Sequence, residues 1–415
     1  MLDEAAPQNP FHAFGLHPNI LKAIDSLGFT QPTPVQAQAV PVAMQGKDVR
    51  ACAQTGSGKT LAFVAPIIHQ ILTHPPAGRP CVLIMVPTRE LATQVDTVVH
   101  DLGKFTDVRN VSILGGANFH RQVTQIKAGA HIVCATPGRL LDHLERRTFN
   151  LKNVHTLVLD EADRMLDMGF LPDIRRILNQ CPPKKQTMLF SATFPPEIQS
   201  LVGQVLHDPY SIDIAPSTPS NNVAQMIYPV SRSQKEALLQ MVLANGSIAS
   251  ALIFCRTKHG ADHLVTTLKK WGKSVAVIHS DRSQSERYAA LEGFRDRKFQ
   301  ILVATDIASR GIDIKDISHV INFDVPHHPE DYVHRIGRTG RAEANGDAFT
   351  LCAPDEEPYL KRIEKFINKT LPRGVIPNFP YLVPPKLSTA KSTTVPQGWG
   401  RMRRRIPTGS RGRFH

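Results

Sequence analysis

Short apolar runs alternate with amphipathic stretches twice along this chain, on either side of a polar break, and that repetition limits the fold more than any other feature. In the first half, Asp48–Ala53, Cys81–Val86, His131–Ala135, Thr156–Leu159 and Thr187–Phe190 read as strands. Runs this short and this apolar suit parallel strands covered on both faces. Leu61–Ile71 and Arg89–Leu102 have helical spacing. The break, Ala215-Pro216-Ser217-Thr218-Pro219-Ser220-Asn221-Asn222, is small, polar and Pro-rich, as a linker is. The alternation then resumes with strands at Ala251–Cys255, Val275–His279, Ile301–Ala304, His319–Phe323 and Asp347–Cys352, and helices at Gln234–Ala244, Gly260–Trp271 and Gln284–Arg297. The predicted fold class is therefore α/β. It consists of two tandem domains, 1–214 and 223–377, each a parallel sheet with helices on both faces, joined by a linker at 215–222. Periodicity ends near Pro377, and 378–415 reads as a basic, disordered tail.

With 415 residues, 41% of them hydrophobic, the chain can bury two sizeable cores. No apolar run approaches the roughly 18 residues of a membrane-spanning helix. The start, Met1-Leu2-Asp3-Glu4, is acidic and lacks the apolar stretch of a secretory signal. The six cysteines show no CxxC spacing, which predicts reduced core thiols and a cytoplasmic location. Charge is uneven. Residues 365–415 hold 11 of the 49 Lys and Arg and none of the 36 Asp and Glu, so the body is near neutral while the tail is strongly basic. Such a tail favours a polyanion, nucleic acid first. Its rings and arginines, Trp399 with Arg401, Arg403, Arg404 and Arg405, then Arg411, Arg413 and Phe414, suit charge tethering and base stacking.

Chemistry concentrates after strands. Ala53-Gln54-Thr55-Gly56-Ser57-Gly58-Lys59-Thr60 fits the phosphate-binding pattern GxxxxGK[ST], except that Ala53 stands at the first glycine. Gly56 and Gly58 let backbone N–H groups turn onto phosphates, Lys59 reaches the outer phosphates, and Thr60 can ligate Mg²⁺. Asp160-Glu161-Ala162-Asp163 follows the run Thr156–Leu159. Asp160 is expected to hold Mg²⁺ with Thr60, and Glu161 to orient the attacking water. An upstream phosphate cradle with paired acids predicts hydrolysis of a nucleoside triphosphate.

Together with these motifs, the order of the remaining ones resembles that of the DEAD-box ATP-dependent RNA helicases, from about Phe11 to about Pro372. The linear arrangement, the short tail and the 338–355 region look most like the bacterial RhlE-type branch. The resemblance implies two RecA-like domains, with ATP and Mg²⁺ as cofactors. Gly28–Gln36 is similar to the family's adenine-reading motif, which brings in Phe29, Gln31 and Gln36, together with Phe11 as an aromatic partner for the base. Contacts to RNA phosphates are implied at Thr88, Arg89, Gly116, Thr136, Gly138 and Arg139. In the second domain they are implied at Arg256, Gln284, Arg287 and Thr305. Gly311 and Asp313 are expected near the nucleotide. Arg338 and Arg341, three apart and on one face if that segment is helical, resemble arginine fingers. Asp163, Ser191, Thr193 and His334 match positions that couple hydrolysis to strand separation. Ser280 departs from the family's usual glycine. The implied partner is RNA gripped through its backbone, without a membrane and as a monomer. Ribosome assembly or RNA decay are the implied settings, and an ATP-dependent RNA clamp or annealing factor and a DNA helicase are the alternatives.

Overall fold

The computed structural model describes residues 9–54, 56–214, 223–244, 248–306, 317–339 and 346–382. They form two compact units.

In the first unit, a 3-10 turn Pro10–Phe14 and helices α1 (Pro18–Ser26) and α2 (Pro34–Met44) precede strand β1 (Val49–Cys52). There follow α3 (Lys59–Thr73), β2 (Val82–Met85), α4 (Arg89–Leu102), β3 (Asn110–Ile113), α5 (Phe119–Lys127), β4 (Ile132–Ala135) and α6 (Pro137–Glu145). The unit finishes with β5 (Thr156–Leu159), α7 (Ala162–Asp167), α8 (Leu171–Leu178), β6 (Gln186–Ser191), α9 (Pro196–Val205) and β7 (Tyr210–Asp213). The seven strands form one sheet in the order β3-β4-β2-β5-β6-β1-β7, and every pairing is parallel. Successive side chains of a strand point to opposite faces. Accordingly Val82 and Ile84 join one buried cluster with α1 to α4, while Leu83 and Met85 join another with α6 to α9.

The second unit runs β8 (Val223–Pro229), α10 (Lys235–Ala244), β9 (Ala251–Phe254), α11 (Lys258–Lys270), β10 (Val275–Ile278), α12 (Gln284–Arg295) and β11 (Ile301–Ala304). It continues with β12 (His319–Asn322), α13 (Pro329–Ile336), β13 (Gly346–Cys352) and α14 (Glu357–Phe366). Its sheet is again parallel, in the order β10-β11-β9-β12-β13-β8. The fold continues past Pro377. Phe379 is buried in the core of this unit, and the Tyr381 hydroxyl accepts the Ile376 N–H at 2.9 Å. Residues 378–382 therefore belong to the second unit rather than to the tail. The basic stretch 383–415 and the break at 215–222 lie outside the described residues.

Strands β3, β7 and β8, all at sheet edges, escape prediction from apolar runs; β3 and β7 alternate polar with apolar residues, and Gln225 interrupts the apolar run of β8. Several helix starts are set by side chains. Thr88 Oγ1 accepts the Leu91 N–H at 3.2 Å to begin α4, and Ser283 with Glu286 forms a capping box at α12.

Candidate functional site

Strand order explains where the predicted residues gather. In the first sheet β5, β6 and β1 are neighbours, so the acidic turn after β5 and the glycine turn after β1 flank the end of β6. Ser191 closes β6 between them, and its carbonyl accepts the Ala53 N–H at 2.9 Å.

The glycine turn has the backbone its sequence requires. Gly56 and Gly58 have φ of 87° and 90°, a region that residues with a Cβ avoid. A Cβ on Gly58 would stand 2.5 Å from Gln36 Nε2. Ala53 does not have a positive φ, so the missing first glycine costs nothing there. Ser57 Oγ donates to the Gln54 carbonyl at 2.7 Å. Lys59 opens α3, is buried, and pairs with Asp160 Oδ1 at 3.8 Å, while its Nζ makes no hydrogen bond. A buried ammonium with donors unsatisfied is costly unless an anion meets it, and a phosphate does. Thr55 lies outside the described residues.

Asp160 is 1% exposed and accepts the Glu161 N–H at 2.9 Å. Burial pushes its carboxyl up to about 6, although Lys59 pulls the other way. Glu161 is buried too, and stands at φ 51°, ψ 54°. A left-handed conformation in a glutamate costs on the order of 1–2 kcal/mol. Among the described residues no group of three acidic, His or Cys side chains could hold a metal alone. A buried carboxylate, Asp160, with the hydroxyl of Thr60 next in sequence to its partner Lys59, fits Mg²⁺ carried in on nucleotide phosphates, because that ion keeps waters and needs few protein oxygens.

Asp163 is tied to the end of β6. Its backbone N–H donates to Ser191 Oγ at 3.1 Å, and Ser191 Oγ donates to the Thr193 carbonyl at 2.7 Å. Thr193 returns two bonds to Asp163 Oδ2, from its N–H at 2.9 Å and its hydroxyl at 3.0 Å.

At the base end, Gln36 Oε1 accepts the Thr33 N–H at 2.9 Å, and its Nε2 donates to the Gly58 carbonyl at 3.1 Å. A carboxamide retains a second lone pair and a second N–H, so Gln36 links the phosphate turn to whatever it reads. Phe11 does not match the expectation. Its ring is fully buried and meets Phe14 edge-on at 5.7 Å and Phe29 at 6.5 Å, so it covers the core and has no face free for a base. Phe29 is 42% exposed and is the ring that can stack. Gln31 is exposed beside it.

The other half of the same edge, β2, β4 and β3, gathers the candidate phosphate contacts. Thr88 and Thr136 cap α4 and α6 and are nearly buried, and Gly138 is exposed in the first turn of α6. The Arg89 guanidinium covers Gly116, where a Cβ would lie 2.5 Å from Nη1. Arg139 Nη1 donates to the Ala117 carbonyl at 3.1 Å and to Gln122 Oε1 at 3.3 Å.

In the second unit Arg256 and Thr305 follow β9 and β11. Arg256 is committed to a buried acid. Its Nη2 donates to Glu356 Oε1 at 2.6 Å, and Lys235 Nζ meets the other oxygen at 2.6 Å. Thr305 is buried, and Arg287 is half-buried on α12. Ser280 does not have a positive φ, so the family's usual glycine is not needed by the backbone. The condition set for Arg338 and Arg341 to share a face, a helical segment, is not met at Arg338. Helix α13 stops at Ile336 and Gly337 caps it, leaving buried Arg338 in a turn. Arg341, Gly311 and Asp313 lie outside the described residues, as does the side chain of Gln284. His334 is half-buried on the last turn of α13.

Two arrangements escaped the sequence reading. Arg335 is 3% exposed and grips Asp306 through two bonds, 2.6 Å from Nε and 2.7 Å from Nη2. Its Nη1 donates to Asn322 Oδ1 at 2.9 Å and to the Asp324 carbonyl at 2.8 Å. Gln122 is a buried carboxamide on α5. The signal for it was a polar residue in the apolar stripe it shares with Ile126.

Comparison with known proteins identifies the family of this chain. Residues 33–201 match the family described as DEAD/DEAH box helicase, and residues 233–343 match the helicase conserved C-terminal domain. The chain is 44% identical over 375 residues to DEAD-box ATP-dependent RNA helicase 30 of Arabidopsis thaliana, covering 88% of this chain and 63% of that protein. It is 42% identical over 364 residues to the DEAD-box ATP-dependent RNA helicase CshA of Bacillus cereus, covering 88% of this chain and 69% of that one. The chain thus spans less than two thirds of the plant relative. Its fold is similar to that of S. cerevisiae Dbp5 bound to RNA and ADP BeF3, with a TM-score of 0.79 and 30% identity over 88% of this chain and 95% of that one.

Proposed function

This chain belongs to the DEAD/DEAH box helicase family, and on that premise we propose that it is an ATP-dependent RNA helicase, whose two RecA-like domains couple RNA-stimulated ATP hydrolysis to local separation of short RNA duplexes. The observation that carries this reading is the convergence on the end of β6, where Ser191 bonds both the glycine turn at Ala53 and the acidic turn at Asp163, which Thr193 holds in turn. The glycine turn reaches Asp163 and Thr193 by hydrogen bonds through Ser191, and the acid Asp160 reaches the cradle through its ion pair with Lys59.

Lys59 and the glycine turn bind the β- and γ-phosphates of ATP, Phe29 and Gln36 take the base, and Glu161 orients water. Mg²⁺, held by Thr60 and Asp160, would neutralise charge between the phosphates. Arg338 and Arg341 supply further positive charge when the domains close. RNA is held through its backbone at Arg89, Gly116, Thr136, Gly138 and Arg139, so recognition ignores base sequence. Contacts at Arg256, Gln284, Arg287 and Thr305, a nucleotide contact at Gly311 and Asp313, and a coupling role for His334 are part of the same proposal. The organisation proposed is 1–214, a linker at 215–222, and a second domain from 223. The basic tail adds nonspecific RNA affinity, and the linear motif arrangement with the 338–355 region supports placing the chain in the RhlE-type branch. A monomer acting in the cytoplasm, in ribosome assembly or RNA decay, completes the reading. Among the described residues no helix is long and apolar enough to cross a membrane.

The test is the ATPase rate with and without RNA, alongside displacement of a labelled strand from a short duplex. Stimulation by DNA equal to that by RNA would assign a DNA helicase. RNA-dependent ATPase without strand displacement would assign a clamp or annealing factor. Sequencing RNAs crosslinked to a Glu161→Gln protein would name the substrate.

A further inference from the structure

Gln122 stands where a helix facing a core ordinarily places a hydrophobic residue. It is 3% exposed, on the inward face of α5 one turn before Ile126. A carboxamide there costs free energy unless its groups are bonded, and these are. Nε2 donates to the Leu114 carbonyl at 2.9 Å. Oε1 accepts Arg139 Nη1 at 3.3 Å and faces His143 Nε2 at 2.9 Å.

The partners are what make the residue informative. Leu114 immediately precedes Gly115-Gly116, and Ala117 immediately follows them. Arg139 Nη1 donates to the Ala117 carbonyl at 3.1 Å. The glycine loop is therefore tied at one end by Gln122 and at the other by the arginine that Gln122 holds. Arg89 lies over the middle of the same loop.

The amide cannot turn over. A carbonyl only accepts, so nitrogen must face Leu114 and oxygen must face Arg139. His143 Nε2 then carries the proton, and Nδ1 faces Thr148 Oγ1 at 2.9 Å. The imidazole is fully buried and stacks on Phe119 at 4.2 Å and 16°, which fixes its ring plane.

We infer that Gln122 is a positioning residue for the RNA grip of the first domain: its carboxamide, locked by His143, sets the Gly115-Gly116 loop and Arg139 in one fixed relation so that both meet the same stretch of phosphates. The inference rests on the RNA helicase reading. It separates Gln122 from the nucleotide site, because its partners follow β3 and β4, on the far side of the sheet from β1.

The experiment uses the full chain with Gln122→Met, which keeps length and volume but removes every bond, and Gln122→Glu, which keeps an oxygen for Arg139 but removes the donor to Leu114. RNA-stimulated ATPase is followed against RNA concentration, and binding of a fluorescent ADP analogue is measured separately. The expected result for Gln122→Met is half-saturation at about tenfold more RNA, with ADP affinity unchanged within about twofold. Gln122→Glu should shift the same way, since it releases the loop and neutralises Arg139. A general packing defect would instead weaken ADP and RNA together, and that outcome overturns the inference. Unchanged half-saturation in both variants overturns it too, while the helicase reading stands. A wild-type protein that RNA does not stimulate at all would overturn the helicase reading itself.

Discussion

Thr193 meets one oxygen of Asp163 twice, from its backbone N–H at 2.9 Å and its hydroxyl at 3.0 Å. The backbone bond survives truncation of the side chain, so Thr193→Ala removes one contact worth about 1 kcal/mol and leaves the acid in place. Adding Ser191→Ala also strips the acceptor from the Asp163 N–H. The double variant is expected to retain ATPase within about threefold, while duplex displacement falls about tenfold or more. Equal loss of both activities would mean that the pair supports hydrolysis itself and not its coupling.

Phe11 and Phe29 should fail in different ways. Phe11 is fully buried, and Phe11→Ala is expected to cost about 3–5 kcal/mol of stability, read as a lowered denaturation midpoint. Phe29 is 42% exposed, and Phe29→Ala is expected to leave stability within about 0.5 kcal/mol while weakening ATP binding several-fold. A drop in ATP affinity for Phe11→Ala at full stability would return the stacking role to Phe11.

Arg335 sits between the motif containing Asp306 and the strand end at Asn322 and Asp324. Four bonds from one planar guanidinium cannot be reproduced by an ammonium. Arg335→Lys is therefore expected to destabilise the second unit by roughly 3–5 kcal/mol, the cost of breaking a buried pair. Urea unfolding of the full chain, followed by a probe in the second unit such as Trp271, would show it. A change within about 0.5 kcal/mol would contradict a structural role.

The central strands were legible because burial on both faces demands continuous apolar runs, as in Thr156–Leu159 and Ile301–Ala304. Of the edge strands, β10 was legible as an apolar run but β7 was not, because it buries only Ile212 and its alternation looks like a loop. The nucleotide residues were legible for a chemical reason: phosphates need glycines and a lysine at fixed spacing, wherever the chain runs. What the sequence could not show was which polar groups are consumed internally. Phe11 and Phe29 look equivalent until burial separates them. Arg335, Arg338 and Arg341 share one motif, yet Arg335 is locked onto Asp306, a contact spanning 29 residues. Glu161's left-handed backbone has no sequence signature at all.

Lys59 is buried without a hydrogen bond, and under the proposed function a phosphate meets it. An ATP analogue with Mg²⁺ at about 100 times its dissociation constant should stabilise the wild-type fold by about 2.7 kcal/mol. Lys59→Ala should lose this thermal shift and lower ATPase by two orders of magnitude or more. A full shift in the variant would move phosphate binding away from Lys59.

His143 gives the pH dependence a definite sign. Burial, then the positive charge of Arg139, lowers its pKa from the ordinary 6.5 to about 4, opposed by Asp142 and aided by Arg146. Between these two values the unfolded chain binds a proton that the native imidazole refuses. Stability of the first unit should then fall as pH drops from 6.5 toward 4, level off below that, and gain nothing above 6.5. Other histidines whose pKa burial lowers, such as His131 and His155, contribute the same trend, so the comparison must be differential. His143→Gln has no titrating ring, and in it those other groups remain. The stability advantage of wild type over the variant should therefore shrink steadily from pH 7 to pH 4.5. An advantage independent of pH, or a His143 ring signal titrating near 6.5 by NMR, would show that the imidazole is not held neutral against Gln122.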